Sequence, residues 1–124
     1  MHVLAKIIIA FIALEHLYIL WIEMFAWTTA GKRAFKGAMP ANMFEATKVM
    51  AANQGLYNGF LAAGLIWSLL ISQPLWSQNV ATFFVACVAI AGIYGAFTAA
   101  KSIFFIQALP ALIALAVLLL TKTN

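Results

Sequence analysis

Three side chains on one apolar stretch near the start of the chain are of types that carry acid–base chemistry: Glu15, His16 and Glu23. A carboxyl and an imidazole that reach the same substrate can move a proton on and off it, while amides opposite them hydrogen-bond a developing charge. A second stretch supplies the amides, Asn53-Gln54-Gly55-Leu56-Tyr57-Asn58-Gly59, and Tyr94, Thr98, Lys101 and Gln107 add polar groups further on. At about 100° per residue, His16 and Glu23 fall within about 20° of each other on a helix and share a face with Leu20 and Trp27. Glu15 points about a quarter-turn away. Asn53 with Tyr57, and Gln54 with Asn58, form adjacent i,i+4 pairs, and Tyr94, Thr98 and Lys101 line one further face.

The surroundings make these residues expensive to place. Of 124 residues, 66% are hydrophobic and 8% are charged. A soluble domain carries about 25% charged residues, and a chain this short cannot hide two-thirds apolar content from water. The solvent must be lipid. At about 20 residues per span the length holds four helices and no separate domain. Glu15 then sits near the middle of the first span, where a carboxylate costs about 2.5–3.5 kcal/mol on insertion scales. It has to be neutral, paired or facing a polar cavity, because Glu is too short to reach water from there.

The elements that position these residues are read as a single domain, 1–124, of four antiparallel transmembrane helices in an all-α, up-and-down bundle. The spans are expected at 3–27, 43–72, 79–100 and 103–120, with Trp21 and Trp27 as interfacial anchors of the first. Lys6 ahead of apolar residues looks like the start of a signal peptide, but Glu15 and His16 interrupt its core, so a retained helix is expected. A polar connection, 28–42, carries Lys32, Arg33 and Lys36. Asn42 ahead of Glu45 reads as an N-cap with a first-turn carboxylate, a structural role for Glu45. Gln73, Pro74, Ser77 and Gln78 read as a turn, Lys101 and Ser102 as another, and Pro110 as a kink in the last helix. With helix 1 centred near Glu15 and helix 2 near Phe60, Glu23 and Asn53 lie on one side of the midplane, as do Thr98, Lys101 and Gln107. The polar groups thus converge beneath the basic connection, and Gly55 and Gly59 form a GxxxG pattern for close helix approach, within the chain or between copies.

Net charge is +4, and the basic residues sit at helix ends and in one connection. They orient the chain and attract anionic lipid headgroups, leaving no basic patch with interleaved aromatics for a nucleic acid. The positive-inside bias puts the 28–42 connection in the cytoplasm and both termini outside. Cys87 is a single thiol in an apolar run, which excludes an internal disulfide or a CxxC site and suits a small buried hydrophobe. One His and two Glu in diverging directions, without HxxxH or ExxH spacing, make no metal site. No phosphate-binding glycine loop or nucleophile motif occurs, and no cofactor is expected.

The runs Leu14-Glu15-His16-Leu17-Tyr18-Ile19-Leu20-Trp21-Ile22-Glu23-Met24-Phe25 and Ala52-Asn53-Gln54-Gly55-Leu56-Tyr57-Asn58-Gly59-Phe60 resemble small bacterial membrane proteins grouped as domain-of-unknown-function family number 1304. The resemblance covers essentially the whole chain. It implies a multi-pass protein of the bacterial plasma (inner) membrane and assigns no activity.

Three functions remain open on the residues. The first is binding or transport of a small lipophilic or amphiphilic molecule, with Glu15 as the proton-coupling carboxylate and a homodimer completing the path. That arrangement is analogous to the small multidrug-resistance exporters, without their other signature residues. The second is a membrane-embedded isomerase, cyclase or epoxide-opening enzyme in which His16 and Glu23 are the catalytic acid–base pair. The third is a structural or assembly subunit whose polar cluster holds helices together. The expected ligand-binding set is Glu15, His16, Glu23, Asn53, Gln54, Tyr57, Asn58, Tyr94, Thr98, Lys101 and Gln107.

Overall fold

A computed structural model describes residues 1–122. Helix α1 is Val3–Phe25, and a π-helical turn, Trp27–Gly31, leads into the single turn α2, Lys32–Ala34. Two more helices follow, α3 at Met43–Ala46 and α4 at Lys48–Leu70, and then α5 at Pro74–Thr98. A second π-helical segment, Phe104–Ala108, runs directly into α6, Leu109–Leu120. Apart from an isolated bridge between Lys36 and Met39, the described residues form no β-structure.

Two helices, α1 and α5, are long and apolar enough to cross a membrane, yet only 28% of the apolar window of each is buried inside the protein. A core helix of a water-soluble globule is covered on most sides. Here Phe11, Leu14, Ile90 and Phe97 all face outward, Phe97 with 88% of its surface exposed. Exposed apolar area of that extent marks a surface to be covered, by a membrane or by another protein. The segment Phe104–Leu120 is apolar but shorter, and α4 matches α1 in length while carrying the amides.

Several boundaries differ from the sequence expectation, each for a local reason. The first helix stops at Phe25 instead of Trp27: Ala26 leaves helical geometry (φ −133°, ψ 22°), and Gly31 N–H reaches back to Ala26 O at 2.8 Å. The expected 43–72 helix is broken at Thr47 (φ −98°, ψ 3°), whose hydroxyl donates to Met43 O at 2.8 Å and accepts from Trp27 Nε1 at 3.0 Å. A Thr side chain bonded in this way competes with the helix ladder. Asn42 does not cap with its side chain; its own backbone is already helical (φ −72°, ψ −16°).

The expected turn at 73–78 is the opening of α5. Gln73 is its N-cap, its side-chain oxygen accepting from Trp76 N–H at 2.6 Å, and Pro74 occupies the first turn, where its missing N–H costs nothing. This helix ends at Thr98, two residues before the expected 100. The irregularity expected at Pro110 sits just before it, in the wider turns of Phe104–Ala108.

The chain divides into two compact units, Met1–Leu14 with the chain from Leu61 onward, and Glu15–Phe60. The first unit is cored by Ala5, Ile9, Ile12 and Ala13 of α1, Leu65 of α4, Ala81, Val85, Val88 and Ala89 of α5, and Ala111, Ala114 and Leu118 of α6. Half of these are alanine, which lets backbones approach closely. Gly92 makes the same point: a Cβ there would lie 2.6 Å from Ala108 N. Helices α5 and α6 run antiparallel, since Gln78 Nε2 donates to Leu118 O (2.7 Å) at one end while Gly92 meets Ala108 at the other.

The second unit gathers Ile22, Trp27, Phe44 and Ala51, with Phe35 and Met39 packed on them. The basic connection is therefore a folded element. Trp27, expected at the lipid interface, is buried, its ring centroid 5.4 Å from Phe35 and 5.1 Å from Phe44. Gly37 turns the chain with a positive φ of 88°.

Candidate functional site

The seven candidates on α1 and α4 fall in one unit, Glu15–Phe60. What joins these helices is the missing side chain at two positions. A Cβ on Gly55 would lie 2.7 Å from Met24 Cγ, 3.0 Å from Glu23 Cβ and 3.2 Å from Leu20 O; one on Gly59 would lie 2.5 Å from Leu20 Cδ1. The GxxxG pattern thus packs α4 against α1 within the chain, with the two helices antiparallel. Sequence alone left open whether this contact was internal or between copies.

Close approach brings Asn58 onto Glu23: Asn58 Nδ2 donates to Glu23 Oε2 at 3.0 Å and also to Gln54 O at 3.1 Å. Both acceptors demand an N–H, so the orientation of the amide follows from chemistry. An amide donor suits the carboxyl in either protonation state, because a carboxylic acid still presents an accepting carbonyl oxygen. Glu15, on the same helix, is half-buried, and its Oε2 is buried with no hydrogen-bond partner among the described residues. His16 is completely buried.

The same unit has a cleft of about 340 Å³ lined by Met24, Lys48, Val49, Ala52, Asn53 and Leu56, with neither Glu23 nor Asn58 in its lining. Its walls are mostly aliphatic, with one ammonium and one amide. Asn53 sits at the surface and donates to Val49 O at 3.0 Å in its own helix. Gln54 is exposed, and Tyr57 is exposed with its ring 6.1 Å from Phe60. The structure thus joins Glu23 to Asn58 and sets Asn53 in the wall of the cleft, while Gln54 and Tyr57 face outward.

The other four candidates belong to the other unit. Tyr94 is exposed on α5, and the Thr98 hydroxyl donates to Tyr94 O at 2.8 Å. Lys101 is exposed in the turn after α5, and Gln107 is half-buried in Phe104–Ala108, where it is bonded.

Sequence reasoning missed Gln78 by assigning it to a turn, although it is buried at 3% exposure. The signal was present: Gln73 followed by Pro74 is an N-cap and first-turn pair that would have started the helix earlier. The Trp27–Thr47 bond had no sequence signal, because nothing in local spacing marks a contact across twenty residues.

Fold and site together define an all-helical protein with two helices fit to cross a membrane and a carboxyl–amide pair between apolar helices. The chain belongs to the family described as protein of unknown function (DUF1304), which matches residues 10–119. It is similar to the uncharacterised protein YpaA of Lactococcus lactis, 28% identical over 116 residues that cover 93% of this chain and 96% of the relative. No solved structure matches.

Proposed function

We propose that this is a four-span protein of the bacterial inner membrane that binds or transports a small lipophilic or amphiphilic molecule through the polar cluster of α1 and α4. The observation that carries this is the Glu23–Asn58 hydrogen bond, half-buried between α1 and α4 in the unit that also holds a mainly aliphatic cleft of about 340 Å³. Gluing two helices together takes only one amide or hydroxyl, worth about 0.6 kcal/mol on average. A carboxyl costs far more to insert, and this chain carries two on one span, one of them with an orphaned buried oxygen. Such a cost is understandable where a ligand or a proton uses the group. The cleft matches an amphiphile in chemistry, with Met24, Val49, Ala52 and Leu56 for an apolar body and Lys48 and Asn53 for a polar head. Four helices make a thin pathway, so passage across the membrane would use a second copy of the chain.

Native mass spectrometry of the gently purified protein, wild type beside Glu23→Gln, tests this. A defined small molecule retained by the wild type and lost from the variant is expected, and its identity selects the flux or turnover assay that follows. If both proteins carry only bulk lipid and the variant is merely less stable, the cluster is structural glue and the proposal falls.

A further inference from the structure

Helix α4 turns a heptad stripe outward. Val49, Asn53, Leu56 and Phe60 alternate at spacings of four, three and four residues, and all are exposed. The same repeat along the sequence of α4 meets two more exposed residues, Trp67 and Leu70. A period of 3.5 residues is that of a seam between two helices, whereas a face that only meets lipid needs no period at all. Asn53 is the member that lipid does not suit. Its Nδ2 donates to Val49 O at 3.0 Å, and its second N–H and its Oδ1 have no partner among the described residues. At 1.5 Å per residue it lies about 8 Å along α4 from Lys48, where acyl chains offer neither donor nor acceptor. The outward residues of α1 in the same unit, Tyr18, Trp21 and Phe25, share the spacing but carry no amide.

We infer that a second copy of this chain packs on this stripe, about a two-fold axis normal to the membrane, with the two Asn53 side chains bonded to each other. Copies inserted the same way run parallel, so the two-fold sets each residue of the seam against itself. A charged side chain would be repelled there. An amide is its own complement, because it carries both donor and acceptor. One Asn in an otherwise apolar heptad seam fixes the register and the number of helices that pair. Val49, Asn53 and Leu56 also line the cleft of about 340 Å³, which takes only Met24 from α1, so the second copy closes over it. Lys48 and the remaining lone pair of each Asn53 Oδ1 are left for a ligand. The inference rests on the membrane reading of the proposed function and names the surface by which the second copy joins.

The test begins in membranes, before extraction. In a Cys87→Ser background, Leu56→Cys and Trp21→Cys are oxidised with copper phenanthroline, and the seam position is expected to give about fivefold more disulfide-linked dimer than the α1 position. Native mass spectrometry from mild detergent then compares wild type with Asn53→Leu, an exposed change that leaves the contact of α1 with α4 in place. The substitution should weaken dimerisation about tenfold, the loss of two reciprocal interhelical bonds. The dimer fraction is read on the ligand-free species, which the spectrum resolves, so a failure to find a ligand leaves this result standing. Equal cross-linking at positions 21 and 56, no linked product at 56, or an Asn53→Leu protein that dimerises as well as wild type overturns the inference. A chain that stays in the soluble fraction without detergent overturns it together with the membrane reading.

Discussion

The bond between Asn58 and Glu23 is the smallest unit on which the proposed site depends. Removing its donor leaves a half-buried carboxyl against apolar helix, while removing the carboxyl's ionisable character leaves two amides that still bond. A double-mutant cycle separates these effects. Asn58→Leu should destabilise the wild type by about 1–3 kcal/mol, the cost of stranding a buried polar group, and should cost less in a Glu23→Gln background. The coupling read from steric-trap or detergent unfolding is expected at about 0.6–1.7 kcal/mol, the span seen for interhelical bonds in membranes. A coupling near zero would mean that the two side chains do not meet. Glu15 stands apart at this scale: a neighbour on the same helix with a stranded oxygen, it has no comparable donor among the described residues.

Among the elements, glycine does for helix pairing what large side chains do in a soluble core. Besides Gly64, which faces the Phe84 ring, three close approaches differ in what blocks an added methyl, and so they rank. Gly92→Ala would drive its Cβ into the backbone of Ala108 at 2.6 Å, where nothing can swing aside. Gly55→Ala meets Met24 Cγ at 2.7 Å, with the Leu20 carbonyl behind it at 3.2 Å, so relief is partial. Gly59→Ala meets only the Leu20 side chain, at 2.5 Å from Cδ1, the end of a movable group. Loss of stability should therefore follow Gly92 > Gly55 > Gly59, with the first near about 3 kcal/mol and the last near about 1 kcal/mol. Unfolding in mixed detergent micelles gives the order directly, and a reversed ranking of Gly55 and Gly59 would contradict the packing of α1 on α4.

For the whole molecule, the number of helices that cross sets which side each connection faces. If only α1 and α5 span, residues 36 and 73 lie on the same side; if α4 and the segment Phe104–Leu120 also span, they lie on opposite sides. Both are exposed. In a Cys87→Ser background, Lys36→Cys, Gln73→Cys and Lys101→Cys report this through an impermeant thiol reagent on intact cells. Labelling of position 73 with protection of 36 and 101 is the expected outcome, given four spans and a cytoplasmic basic connection. Equal behaviour of 36 and 73 would reduce the protein to two spans.

What the sequence determined alone is the class of structure and the identity of the residues that need explaining. Composition forces helices with apolar outer faces, and the positions of Glu15, Glu23 and the 53–59 run place every costly group on two of them. Those are properties of local spacing and solvent, which single-chain chemistry settles. Tertiary structure decided which of these groups meet. His16 and Glu23 share a helix face on paper, but it is Asn58 that donates to Glu23, because Gly55 and Gly59 set the register of α4 on α1. Trp27 reads as a lipid anchor until Thr47 and Phe44 draw it inward and end the helix early. Gln78 reads as turn until Leu118 accepts from it across forty residues. In each case a contact distant in sequence overrode a local signal, since a buried polar group must take its partner wherever the packing puts one.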